Sequence, residues 1–356
     1  MTLDIAIRKA TTLKPKPTED SLGFGRYFTD HVFVMDFEPE RGWHDARIVP
    51  NEPLGLEPAA AVLHYAQAVF DGLKAFRGAD GRIRTFRLDD HCHRLNRSAK
   101  RLCMPPIDPA WLHESIVELL RVEQDWVPRS AGTSLYIRPT MIASEAFLGV
   151  RPAERFTYFV LLSPVGEYYS SRKEPVKIWV EMRHVRAAPG GLGGVKAAAN
   201  YAASLPGAEE ARQRGFDQVL WLDALEHRWI EEVGTMNLFV RIGDEVLTPP
   251  LDDTFLAGIT RNSVLTLLRD WGTKVAERRV SIDELRHAHA HGDLAEVFGT
   301  GTAAVISPVG LLGFPDGALT IGDGKIGPVA RRLSEALTGI QYARAEDRHG
   351  WMMPIT

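Results

Sequence analysis

The sequence predicts an α/β protein, mixed α+β in composition and divided into two α/β domains. Three observations carry that expectation. At 356 residues the chain is long for one hydrophobic core. Strand-like and helical runs mix in both halves. Between the halves, "GEYYSSRKEP" (166–175) breaks the pattern with turn formers and charge. The expected division is a domain over 1–169, a linker over 170–181 and a domain over 182–356.

The elements follow in chain order. Pro15 and Pro17 mark a loose N-terminal arm. "YFTDHVFVMDF" (27–37), rich in aromatic and β-branched residues, reads as a strand. Two strand-like runs in 73–88 flank Ala79-Asp80-Gly81, which predicts a hairpin. "DDHCHRLNRSAKRL" then has an aspartate cap and helical spacing. "SLYIRPTMIAS" (134–144) and "FTYFVLLSPV" (156–165) are strands, the second apolar enough to be buried on both faces. Beyond the break, "VKIWVEM", "QVLWLDA", "NLFVRIGDEVLTPP" and "TKVAERRVS" read as strands. "SLPGAEEARQRG", "TRNSVLTLLRDWG" and "GPVARRLSEALTGIQYA" read as helices. Ligands are expected in the cleft between the two domains.

Composition narrows the function. With 45% hydrophobic and 25% charged residues the chain resembles an ordinary soluble globular protein. A formal charge of −4 gives no reason to expect nucleic acid or an acidic membrane as partner. No apolar run approaches the roughly 20 residues of a membrane span, and the first residues lack a signal peptide's apolar core. Cys92 and Cys103, the two cysteines, are too few for a disulfide framework or a metal cluster. The cytoplasm is the simplest compartment, and no metal is expected.

The most informative stretch is "AAPGGLGGVKAAANYAAS" (187–204), one lysine among small residues. It is no phosphate loop, because Val195 separates Gly194 from Lys196 and Ala197 stands where a hydroxyl is required. It is no dinucleotide fingerprint either, since the third glycine position holds Lys196. A lysine attacks carbonyls only when partly neutral, and small neighbours let a flat aromatic aldehyde approach. That combination suggests a Schiff base to pyridoxal phosphate. Such a site also needs an acid for the pyridine nitrogen, a donor for the ring hydroxyl, phosphate ligands and anchors for a carboxylate.

Candidates are present. "RWIEEVGTMNLFV" (228–240) carries Glu231 and Glu232 on a strand, so one should be solvated while the other faces the cleft. "AGITRNSVLTLLRDWG" begins a helix near Thr260, whose N–H groups and hydroxyl suit an anion. "FGTGTAAVISPV" (298–309) offers a turn of glycines and threonines able to present N–H groups to a carboxylate. Taken singly, each also fits a plainer role: Glu232 a solvated strand residue, Thr260 a helix cap, 299–303 only a turn.

Together, in this order and spacing, these segments resemble the branched-chain amino-acid aminotransferases. Those are class IV, D-amino-acid-aminotransferase-like enzymes of pyridoxal-phosphate fold type IV. The resemblance runs from "FGRYFTDHVFVM" (24–35) to "IQYARAEDRHGWMMPI" (340–355) and is carried most specifically by "GGLGGVKAAANYAAS", "DQVLWLDA", "EEVGTMNLFV", "LAGITRN", "GTGTAAVISPV" and "LYIRPTMIAS". It implies a small first domain, a large cofactor-binding second domain, and pyridoxal 5'-phosphate in the cleft between them. It implies Lys196 as Schiff-base lysine and catalytic base, Tyr201 at the ring hydroxyl, and Glu232 at the pyridine nitrogen. Arg94, Ile259 and Thr260 correspond to phosphate ligands, with Thr302 a further cofactor contact. Thr302 and Ala303 match the turn that holds the substrate α-carboxylate. Phe24, Tyr65, Phe70, Tyr136, Val150, Tyr168 and Thr235 match the side-chain pocket, and Arg138 the anchor for glutamate's second carboxylate, with the Tyr65 and Tyr136 hydroxyls near it.

The implied reaction is reversible ping-pong transfer of the amino group of leucine, isoleucine or valine to 2-oxoglutarate, by a homodimer. Within the same fold, a D-amino-acid aminotransferase or an aminodeoxychorismate lyase is the alternative. The sequence departs from the family twice. Ala304 and Ser307 stand where mammalian members carry a Cys-x-x-Cys thiol switch, and Val195 is bulkier than the residue bacterial relatives often place before the lysine.

Overall fold

The computed structural model describes residues 3–166 and 174–355. Tyr168 and the other residues of 167–173, within the expected domain break, lie outside the described residues. The chain groups into two compact units. One is Met1–Ser170 with Lys196–Ala199 and Gly339–Thr356; the other is Ser171–Val195 with Asn200–Thr338. The C-terminal segment thus belongs with the first unit, where the sequence reading had kept 182–356 together. The stretch read as a linker also supplies a strand, Val176–Val180, to the second unit's sheet.

The first unit is built on a nine-stranded sheet. Its long central strands, Ser134–Ala143 and Phe156–Val165, pair antiparallel along their whole length. The expected hairpin forms from Leu73–Arg77 and Ile83–Phe86, with Gly81 at φ 80° in the turn. The strand expected over 27–37 starts only at His31 and runs to Glu38. Phe156–Val165 alternates buried and half-buried residues over its first part, and only its last four residues are all buried. Two helices, Leu88–Arg101 and Pro109–Val122, supply Leu95, Leu112, Ile116 and Leu119 to the core against this sheet. The first lacks the expected aspartate cap. Arg87 holds the N-cap position at φ 54°, and Asp89 and Asp90 fall inside the first turn, where acids still favour the positive end of the helix dipole. The second helix is capped by Asp108, which accepts from the Ala110 N–H, and starts with Pro109.

In the second unit, six strands close on themselves. Ile230–Val233, Gln218–Leu222, Val176–Val180, Val305–Phe314, Leu294–Gly301 and Met236–Ile242 pair in that order, and the last pairs back to the first. Closure leaves Ile230–Val233 paired along both edges and buried at all four residues. Gly317–Thr320, Glu245–Thr248 and Val275–Glu277 extend the sheet. Ala198–Gln213 and Ile259–Asp270 are the helices that bear on function.

Candidate active site

Lys196 is half-buried and held by its backbone in the first unit. Its N–H donates to Ser98 Oγ at 3.0 Å, and its carbonyl accepts from the Phe70 N–H at 3.1 Å. Its Nζ lies 4.9 Å from the centre of the Phe70 ring. Ala197 is fully buried and bridges to Val69. An exposed lysine on a loose loop is therefore excluded. The neighbouring glycines have a structural reason of their own. A Cβ at Gly193 would collide with the Thr254 carbonyl, and one at Gly194 would come within 3.2 Å of Asp253 Cα. The Gly194 N–H donates to Asp253 O at 2.7 Å. They let the 253–254 backbone pack closely against the loop before the lysine. Val195 is accommodated in a fixed loop, since its carbonyl accepts from Asn200 Nδ2 at 2.9 Å.

Arg94 is buried and held in a fork by Asp71, with Nε at 2.8 Å and Nη2 at 2.6 Å from its carboxylate oxygens. His91 Nδ1 lies 2.7 Å from the same carboxylate, and the Gly72 N–H donates to it at 2.7 Å. Burial pushes this acid upward, but Arg94 and His91 together outweigh burial and hold Asp71 well below the usual carboxylate range. One helical turn beyond Arg94, Ser98 donates to the Arg94 carbonyl while receiving the Lys196 N–H. The same helix thus carries the expected phosphate ligand and supports the lysine.

Four of the expected substrate residues come together beside Lys196. The Phe24 ring meets Tyr136 edge-on at 5.0 Å. Arg138 Nη2 donates to the Tyr136 hydroxyl at 3.0 Å, and its guanidinium lies 4.6 Å from the Phe70 ring centre. Tyr65 and Val150 behave differently. They are 42% and 87% exposed, and the Tyr65 hydroxyl donates to the Leu148 carbonyl at 2.5 Å.

The second unit holds the acid. Glu232 is buried, with one oxygen 2.9 Å from Arg186 Nη2 and the other accepting from Asn237 Nδ2 at 3.2 Å. A pocket beside it is lined by Arg186, Asn200, Tyr201, Glu232, Thr235 and Leu256. Sequence reasoning expects one of the two glutamates to be solvated; instead both are buried. Burial pushes the Glu231 carboxyl up to about 7, opposed by a Thr254 hydrogen bond and the Arg186 charge and reinforced by Asp252 and Glu232.

Ile259 and Thr260 open the helix Ile259–Asp270, whose N-cap Gly258 supplies no side-chain cap. Thr260 is therefore not the cap that a plainer reading allowed. Gly258 is required because a Cβ there would collide with the Asn237 side chain. Thr302 and Ala303 lie in the turn between Leu294–Gly301 and Val305–Phe314. Val305 ends that turn at φ 60°, a conformation costing a β-branched residue about 1–3 kcal/mol. Asp71, Ser98, Arg186 and Asn237, which contact the candidate residues, are not singled out by sequence reasoning. Their only signal is proximity to motifs already singled out.

A family model for class IV amino-transferases matches residues 68–312. The chain is 50% identical to branched-chain-amino-acid aminotransferase 2 of Bacillus subtilis, over 99% of this chain and 97% of that one. It is 46% identical to the branched-chain-amino-acid aminotransferase of Mycobacterium tuberculosis, over 98% and 96% of the two chains. The crystal structure of the Escherichia coli branched-chain amino acid aminotransferase superposes with a TM-score of 0.78 at 27% identity, covering 92% of this chain and 99% of that one. The T.th. enzyme of the same name, complexed with N-(5'-phosphopyridoxyl)-L-glutamate, gives 0.76 at 30% identity over 92% and 98%. The chain therefore belongs to the class IV aminotransferases and, within that class, to the branched-chain-amino-acid aminotransferases.

Proposed function

We propose that this chain is a branched-chain amino-acid transaminase dependent on pyridoxal 5'-phosphate. It moves the amino group of leucine, isoleucine or valine reversibly to 2-oxoglutarate. The observation that carries the reading is the pairing of two local arrangements: a half-buried lysine backed by Phe70, and a buried acid beside a pocket lined by Tyr201 and Thr235. The donor set fits the cofactor. An amine suits its carbonyl, an anionic acid its pyridine nitrogen, and a helix start without a side-chain cap its phosphate. When bound, the cofactor supplies an electron sink for charge that develops at the substrate α-carbon.

Lys196 Nζ anchors the cofactor, takes the proton from the substrate α-carbon and returns it on the cofactor side as general acid. Tyr201 donates to the ring hydroxyl, and Glu232 keeps the pyridine nitrogen protonated. Arg94, pre-oriented by Asp71, holds the phosphate with Ile259, Thr260 and Thr302. The Thr302–Ala303 turn takes the substrate α-carboxylate. Phe24, Phe70 and Tyr136 give branched side chains an apolar wall, with Thr235, Tyr168, Tyr65 and Val150 assigned to the same pocket. Arg138, beside the Tyr136 hydroxyl, receives the second carboxylate of glutamate, which no purely apolar wall tolerates.

The enzyme works as a cytoplasmic homodimer. Support for a covered face comes from Leu63, Tyr65, Phe147, Leu148 and Val150, all exposed apolar side chains on the first unit. No helix among the described residues is long and apolar enough to cross a membrane. Lys196→Ala should reduce turnover of leucine with 2-oxoglutarate to background while its unfolding transition matches wild type. Substantial residual turnover would contradict the assignment.

A further inference from the structure

Two buried glutamates sit side by side on one strand, and the reaction read above uses the charge of only one. What distinguishes them is Arg186. This arginine is itself buried, and its Nη2 makes the ion pair with Glu232 at 2.9 Å. The same nitrogen donates to the Thr254 carbonyl at 2.8 Å and reaches the Gly193 carbonyl at 3.4 Å. Arg186 Nε is buried without a partner. The guanidinium is therefore pinned between the loop that precedes Lys196 and the loop that receives it. The other Glu232 oxygen is fixed by Asn237, whose Nδ2 also donates to Leu256 O at 2.8 Å. Glu231, in contrast, has a buried Oε2 with no partner. The charged groups acting on this pair are Arg186, Asp252 and the two glutamates themselves. Two adjacent buried carboxylates do not both ionise readily, and the cation among these groups pairs with Glu232.

We propose that Arg186 is a positioning residue for Glu232: it selects that carboxylate as the ionised member of the pair and so keeps the proton on the cofactor's pyridine nitrogen. The inference rests on the reading of Glu232 given under Proposed function. A cation paired with Glu232 disfavours transfer of the shared proton to the carboxylate. Without it, the buried acid takes the proton, the pyridine nitrogen becomes neutral and the electron sink weakens.

The test uses holoenzyme loaded with cofactor labelled with nitrogen-15 at the pyridine position, read by NMR at neutral pH. A protonated ring nitrogen resonates well upfield of a neutral one. Wild type should show the upfield signal. Arg186→Met should move it downfield and lower kcat by roughly tenfold to a hundredfold, with cofactor still bound. Arg186→Lys, which keeps the charge, should restore the upfield signal. Should the Met variant fail to fold, Arg186→Gln removes the charge while keeping a donor for Thr254 O, and the same outcome is expected. An upfield signal in the uncharged variant would overturn the proposal. A wild-type protein that binds no labelled cofactor would overturn the functional reading and this inference with it, which keeps the two failures distinct.

Discussion

Each unit of the molecule contains a buried acid–arginine pair at its functional end, and these two pairs are arranged in opposite senses. In the first unit Asp71 grips Arg94 through two nitrogens, so in the proposed site the acid is the support and the arginine the working group. In the second, Arg186 grips Glu232, and in the proposed site the arginine is the support and the acid the working group. Both arrangements use a buried countercharge to orient a functional group. Such pairs add little net stability by themselves, but breaking one by removing a single partner is costly. The comparison teaches that a working charged group is held by a partner of the opposite sign drawn from elsewhere in the chain.

The first pair should break most expensively. Asp71 is fully buried, and Asp71→Asn leaves Arg94 without its countercharge. Denaturant unfolding should show a loss of about 3–5 kcal/mol, with weaker cofactor retention because the phosphate ligand is no longer oriented. A loss below about 1 kcal/mol would mean that the pair is dispensable to the fold.

The second pair should show itself in rate rather than stability. Glu232→Gln keeps the shape and the Asn237 contact but removes the charge. Its kcat should fall by roughly a hundredfold to a thousandfold, while absorbance shows the cofactor still held. Wild-type kinetics would assign the acid's role to another residue.

The smallest effect belongs to the acid that lacks an arginine partner. Folded Glu231 sits at about 7 against an ordinary 4.5. Between those values the folded protein keeps a proton that the unfolded chain has released. Stability is therefore greatest below the lower value and falls as pH rises towards the upper one. The loss amounts to no more than about 3 kcal/mol. Glu231→Gln should flatten that part of the unfolding profile and stabilise the protein above neutral pH. An unchanged slope between wild type and variant would contradict the burial cost assigned to Glu231.

How much of this was legible in the sequence follows from the range of each interaction. Lys196, Glu232 and the helix start at Ile259 sit in local motifs whose residue types announce their chemistry. The strands Ser134–Ala143 and Phe156–Val165 also follow from local pattern. The closed sheet does not, because Met236–Ile242 pairs with Leu294–Gly301, distant in sequence. Glu231 reads as solvated because alternation does not show what covers the second face of a strand. The glycines before Lys196 read as room for a ligand, whereas Gly193 and Gly194 make room for Thr254 and Asp253, about 60 residues away. Asp71 and Arg186 were missed for the same reason: no local pattern says which charge a lone aspartate or arginine will meet. The helix Pro109–Val122 is a different case. Its Asp108 cap and Pro109 start were available locally as a helix signal, and the sequence reading passed them over.

The central claim, amino transfer between a branched-chain amino acid and 2-oxoglutarate at Lys196, is tested most directly by the visible spectrum of the purified holoenzyme. The account predicts an absorption band from the bound cofactor that bleaches on addition of L-leucine and returns on addition of 2-oxoglutarate. A band that ignores leucine would contradict it.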